Sequence, residues 1–111
     1  MDQNVGFAGQ IAPEHITQIV EQGFKSIINN RPDMEGGPEQ PTSVQIEAAA
    51  TQAGLNYVFQ PVIPGQLTEA DVRTFADSFN ALEKPVLMFC RTGNRSNNLY
   101  QIAKQMDLLD D

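Results

Sequence analysis

An α/β fold with a mainly parallel central sheet flanked by helices is what this sequence predicts, on two observations. Short apolar runs alternate about four times with segments whose apolar residues recur at helical spacing. Glycine and proline punctuate the junctions, and the run at residues 85–89 (PVLMF) lacks the polar alternation of a strand that faces water on one side. Strand–helix order repeated in this way places the strands parallel, with the helices as crossovers.

The elements follow in order. Residues 5–8 (VGFA) read as a first short strand. Pro13 then opens a helix, where a missing N–H costs nothing, and Ile16, Ile19 and Val20 share one face. Gly23 supplies its C-terminal cap. Residues 24–28 (FKSII) read as the second strand. Residues 29–41 (NNRPDMEGGPEQP) hold three prolines and two glycines, which makes them a loop. Thr42 with Gln45 forms a capping-box pattern for a second helix that ends at Gly54. Residues 55–62 (LNYVFQPV) read as the third strand. Thr68 caps a third helix, whose stripe of Val72, Phe75, Ala76 and Phe79 faces the core. Residues 85–89 form a central strand covered on both faces. The last helix runs from about Ser96 to Met106, with Leu99, Ile102, Ala103 and Met106 on one side.

Bulk properties narrow the function. A length of 111 residues suits one domain, and 41% hydrophobic residues are too many for a disordered segment. A net charge of −7 argues against a nucleic-acid or anionic-membrane partner. A single cysteine permits no internal disulfide, which points to a reducing compartment, with the cytoplasm as the expectation. No apolar run approaches the roughly 18 residues of a membrane helix, and no signal-peptide pattern opens the chain. The abrupt ending MDLLDD reads as one domain of a longer protein.

The chemistry concentrates at CRTGNRS, residues 90–96. Cys90 ends the central strand, a short loop follows, and a helix begins at once. Ligands of open α/β sheets bind at the carboxyl ends of strands, where unpaired N–H groups of a starting helix attract anions. The same N–H groups, with Arg91 and Arg95, favour a thiolate at Cys90, and the thiolate is the attacking form. Gly93 lets the loop curl, and Ser96 either bonds the thiolate or caps the helix. A lone cysteine is more often a buried small hydrophobe. Here the combination of strand, cysteine, glycine loop, arginine and helix favours a nucleophile. Arg95 is read as the anion ligand, and Arg91 is equally well a solvated charge.

The segments GFAGQIAPEHI, IINNRPDMEGGPEQP, YVFQPVIPGQLTEADV and MFCRTGNRS resemble, in order and spacing, the phosphatase-like domain of beta-lactamase-hydrolase-like proteins. The likeness covers nearly the whole chain, residues 1–111, read as one phosphatase-like domain. It implies a cysteine (tyrosine and dual-specificity) phosphatase fold, and a possible fused metallo-beta-lactamase-fold hydrolase or dioxygenase domain as a partner. Carried over by position, Cys90 is the nucleophile and Arg95 the anion clamp. Thr92, Gly93 and Asn94 give loop N–H groups, Ser96 follows the clamp, and Arg31 reaches towards the site. A solvated loop charge is an equal reading of Arg31. Gln10 is a further residue that would approach the pocket.

The loop departs from the phosphatase pattern. Four residues separate Cys90 from Arg95, one fewer than in phosphatases and the spacing of many rhodanese-type sulfurtransferases, and Phe89 stands where phosphatases have histidine. A phosphatase needs a general acid for its leaving group, usually an aspartate after the preceding strand. The matching stretch, PVIPGQ at residues 61–66, has none. Glu69 and Asp71 beyond it are read as complementing the dipole of the third helix.

Sulfur transfer needs no acid. The leading expectation is therefore a sulfurtransferase that moves sulfane sulfur through a Cys90 persulfide to an external thiol acceptor such as glutathione. Its donor would be a small anion, thiosulfate or a persulfide. The alternatives are a protein tyrosine or dual-specificity phosphatase acting on a phosphoester, and a non-catalytic anion-binding domain. No cofactor or metal is expected, since His15 has no ligand partners in the sequence.

Overall fold

Period-two alternation in the inner strands divides the apolar residues between two faces of one sheet. In the computed structural model, which describes residues 4–110, four parallel strands lie in the order β1-β4-β2-β3: β1 Val5–Ala8, β2 Ser26–Asn29, β3 Asn56–Phe59 and β4 Val86–Phe89. Successive side chains of a strand point to opposite faces. Val86 and Met88 of β4, with Ile28 of β2, therefore pack against Val72, Phe75, Phe79, Leu99 and Ala103. Leu87 and Phe89, with Ile27, pack on the other side against Ile16, Ile19, Ile46 and Ala50. The residues of β4 are buried throughout, as a central strand requires.

The four helices fall two to a face. α1 (Ile16–Glu21) and α2 (Ser43–Gln52) cover one side, and α3 (Glu69–Ala81) and α4 (Asn94–Gln105) the other. Pro13 does not open α1 directly. A 3₁₀ turn, Pro13–His15, precedes it, and the Nδ1 of His15 accepts from the Ala12 N–H at 2.9 Å, so the lone histidine serves as a cap. Val20 departs from the expected stripe: it is exposed, because α1 is so short that Ile16 and Ile19 already fill its contact with the sheet.

The capping boxes at Thr42–Gln45 and Thr68–Asp71 are both formed. Asp71 is thereby committed to the Thr68 N–H at 3.0 Å, while Glu69 pairs with Arg73 at 3.3 Å. The stripe of α3 is buried as read. Strand ends are the main differences. β2 begins two residues late and includes Asn29, and β3 stops at Phe59, because pairing with β2 limits both to four residues.

The sheet order positions the site. The chain steps outward from β2 to β3 across one face, then returns across the other through α3 to insert β4 between β1 and β2. Where the direction of winding reverses, the loops leaving neighbouring strands part and open a crevice at the strands' carboxyl ends. Cys90 is the first residue past β4 at that crevice.

Candidate active site

β4 delivers Cys90 into a turn whose backbone bends back over its sulfur. Gly93 makes the bend. It is the N-cap of α4 with φ +92°, a left-handed conformation, and a Cβ there would lie 3.3 Å from the Ala8 carbonyl oxygen. The Gly93 N–H donates to the Cys90 Sγ at 3.1 Å. A Gly93→Ala variant is expected to lose about 1–2 kcal/mol of stability, the cost of a left-handed L-residue. A lower denaturation midpoint in urea at unchanged m-value is the check.

Cys90 is 1% exposed. Burial pushes its thiol up, but hydrogen bonds from the Ser96 N–H and hydroxyl and from the Thr92 and Gly93 N–H groups outweigh it. The net effect holds the thiol below the ordinary cysteine range. Of the expected loop donors, Thr92 and Gly93 serve the sulfur. Asn94, the first residue of α4, does not: its N–H turns to the Thr92 Oγ1 at 3.4 Å.

Ser96 is the third residue of α4 and does not cap it, correcting one of the two readings given above. Its side chain is fully buried and donates to the Oδ1 of Asn30 at 2.8 Å. Arg91 is exposed at the rim, with its backbone carbonyl accepting from the Gln10 N–H at 3.3 Å.

Arg95 is anchored on two sides. Its Nη1 donates to the Val62 carbonyl at 3.0 Å and its Nη2 to Glu35 at 3.1 Å. Arg31 is no solvated loop charge. It is 8% exposed, its Nε pairs with the same Glu35 oxygen at 3.0 Å, and its Nη1 donates to the Gln10 Oε1 at 3.0 Å. Gly36 keeps this packing open, since a Cβ there would come within 2.7 Å of the Arg31 Nη2. Arg31, Glu35, Gly36, Pro64, Arg91 and Arg95 line a cavity of about 750 Å³ at the mouth of the loop.

Two residues of this arrangement escaped the sequence reading, Glu35 and Asn30. Glu35 lies in a glycine- and proline-rich loop, where nothing in spacing separates a site carboxylate from a solvated one. Burial raises the pKa of Glu35, but Arg95 and Arg31 bond and attract its carboxylate and bring it below the ordinary range. Among the described residues, no group of three or more His, Cys, Asp or Glu is placed to hold a metal ion. No described helix is long and apolar enough to cross a membrane.

An all-parallel four-stranded sheet between two helix pairs, with a cysteine loop curled at the end of the inner strand, places the chain among phosphatase-like α/β domains. It belongs to the family of the phosphatase-like domain of beta-lactamase hydrolase-like proteins, whose profile matches residues 1–107.

The chain is 39% identical over 107 residues to a beta-lactamase hydrolase-like protein of Agrobacterium fabrum, and 36% identical to one of Xylella fastidiosa. These alignments cover 96% of the chain but 25% of each relative, so it spans about a quarter of their length.

Among solved structures, a Neisseria meningitidis protein whose name carries a provisional phosphatase assignment superposes with a TM-score of 0.87 at 34% identity. That match covers 96% of this chain and 75% of the other. TpbA of P. aeruginosa shares the fold at a TM-score of 0.73 and 18% identity, with 100% and 64% of the two chains covered.

Proposed function

We propose that this domain is a cysteine-dependent sulfurtransferase, in which Cys90 carries sulfane sulfur as a persulfide between an anionic donor and an external thiol such as glutathione. The observation that carries this reading is the state of Glu35. It is the carboxylate paired with the Arg95 clamp, and two guanidiniums hold it ionised. An ionised carboxylate cannot protonate a leaving alkoxide or phenolate, and residues 61–66 offer no other acid. Sulfite and thiolates leave without a proton.

In the first step the Cys90 thiolate attacks the outer sulfur of thiosulfate or a persulfide. A new S–S bond forms, and the donor's bond to that sulfur breaks with its electron pair leaving on sulfite or thiolate. In the second step an acceptor thiolate attacks the outer sulfur of the Cys90 persulfide, and the Cys90 thiolate leaves. Arg95 and the loop N–H groups hold the anion throughout.

A second reading, phosphate-monoester hydrolysis through a Cys90 phosphocysteine, draws support from the relatives. The 34% identical Neisseria protein bears a phosphatase name, and a cysteine-to-serine variant of TpbA has been seen with phosphotyrosine, at 19% identity to this chain.

Turnover of thiosulfate and glutathione, set against an aryl phosphate at equal concentration, separates the two. Sulfite release is expected to outpace phosphate release, which lacks the roughly 10²–10⁴-fold that a general acid contributes. Phosphate release faster than sulfite release would overturn the proposal.

A further inference from the structure

The Ser96 hydroxyl has one proton and two acceptors that want it. Its Oγ donates to the Asn30 Oδ1 at 2.8 Å, and the same hydroxyl is among the groups that hold the Cys90 thiol below the ordinary cysteine range. Asn30 cannot turn its oxygen away. Its Nδ2 donates to the Gln60 carbonyl at 2.9 Å, its backbone N–H to the Phe89 carbonyl at 2.9 Å, and its carbonyl accepts from the Val62 N–H at 2.9 Å. The backbone bonds to the end of β4 and to the segment after β3 fix the main chain of Asn30, and the Nδ2 bond to Gln60 then fixes where its Oδ1 points. All three members of the row, Cys90, Ser96 and Asn30, are buried, so no bulk solvent offers the hydroxyl another partner.

We propose that Asn30 is a positioning residue that acts through Ser96, parking the hydroxyl proton while the Cys90 sulfur is neutral and releasing it when that sulfur becomes a leaving thiolate. In the persulfide the Cys90 Sγ is bonded to the transferred sulfur and carries little charge, so the hydroxyl donates to the Asn30 Oδ1. When the acceptor thiolate takes the outer sulfur, the electron pair of the breaking S–S bond returns to Sγ. The hydroxyl then rotates to donate to that anion. Leaving Oδ1 without a donor opposes the rotation, because an unsatisfied buried acceptor is costly. Asn30 thus keeps the thiolate from being stabilised as fully as Ser96 alone would allow. The inference rests on Cys90 being the nucleophile, not on whether sulfur or phosphorus is attacked. The charged groups lining the adjacent cavity are Arg31 and Glu35 from the loop after β2, and Arg91 and Arg95 around the cysteine turn. All four are unchanged in the variants below.

The test is the ionisation of Cys90, followed by thiolate absorbance near 240 nm and by the pH dependence of iodoacetamide alkylation. Ser96→Ala is expected to raise the apparent pKa by about one unit, the scale of one hydrogen bond to a charged group. Asn30→Ala is expected to lower it by a similar amount, because the hydroxyl then has only the sulfur to serve. The double variant should match Ser96→Ala. A residue that merely supports the fold would not shift the thiol downward. A rise or no change in folded Asn30→Ala, or a double variant that still shows the Asn30 effect, would overturn the proposal.

If Asn30→Ala does not fold, the wild-type protein decides. The side-chain amide resonances of Asn30 should shift with pH at the Cys90 pKa, and should stay constant in Ser96→Ala. Resonances that do not follow Cys90 would overturn the proposal. Loss of sulfur transfer with the thiol shifts intact would instead count against the proposed reaction alone.

Discussion

Replacing Cys90 by serine is expected to lower sulfur transfer from thiosulfate to glutathione by about 10³-fold or more, the scale on which removal of a nucleophile acts. The cause lies in what the loop is built to stabilise. N–H groups of Thr92, Gly93 and Ser96 converge on the sulfur and favour its anion. A serine hydroxyl stays protonated at neutral pH, so the same donors have no anion to hold. The fold should survive, because the smaller oxygen still accepts from Gly93 and leaves the rest of the turn intact. A melting temperature within a few degrees of wild type would show this.

The pH dependence carries a sign. The folded state depresses the Cys90 pKa, so kcat/KM rises with pH up to that depressed value and levels off above it. For stability, the thiolate's contribution is fully present above the unfolded thiol's pKa, about 8.5, and is lost as pH falls through the folded value. Wild type should therefore gain stability over Cys90→Ser on the alkaline side. Undiminished transfer in Cys90→Ser would remove Cys90 from the reaction.

The sequence showed some features of this site and hid others for physical reasons. The central strand was legible because burial on both faces demands an unbroken apolar run, and residues 86–89 are that run. The caps at Thr42 and Thr68 were legible because a capping box joins two residue types at fixed spacing. Cys90, Gly93 and Arg95 were legible because strand, turn and helix start are contiguous in the chain.

The partners of that loop come from elsewhere. Asn30 sits 66 positions from Ser96 and Glu35 sits 60 from Arg95, and both are brought in only because β4 inserts beside β2. Local periodicity carries no information about such pairings. It also could not tell that Arg31, in a loop crowded with glycine and proline, would be packed beneath Gly36. The length of β3 was overestimated for a related reason: LNYVFQPV has strand character throughout, but β2 offers it only four partners.

Arg95→Ala is expected to lower kcat/KM for thiosulfate by about 10²–10³-fold, the range seen when one preorganised donor to a developing charge is removed. The loss should appear in both KM and kcat, because in the proposed reaction Arg95 would bind the donor anion and also hold the charge that leaves. Glu35→Gln supplies the contrast. Glu35 and Arg95 share a hydrogen bond at 3.1 Å, which by itself would make the two variants behave alike. The Val62 carbonyl predicts otherwise. It holds the Arg95 Nη1 at 3.0 Å whether or not Glu35 is charged, so the guanidinium keeps its place in Glu35→Gln. Removing the carboxylate also removes a negative charge that an incoming anion must approach. On exposed or half-exposed pairs that repulsion amounts to a few-fold in affinity, on the order of 1 kcal/mol or less. Glu35→Gln should therefore keep kcat within a few-fold of wild type and lower KM for thiosulfate, most clearly at low ionic strength where the charge is least screened. If Glu35→Gln instead loses as much kcat as Arg95→Ala, the carboxylate is what aims the clamp, and the Val62 anchor is insufficient. A loss confined to aryl phosphate hydrolysis would give Glu35 the proton-donating role that its two arginines argue against.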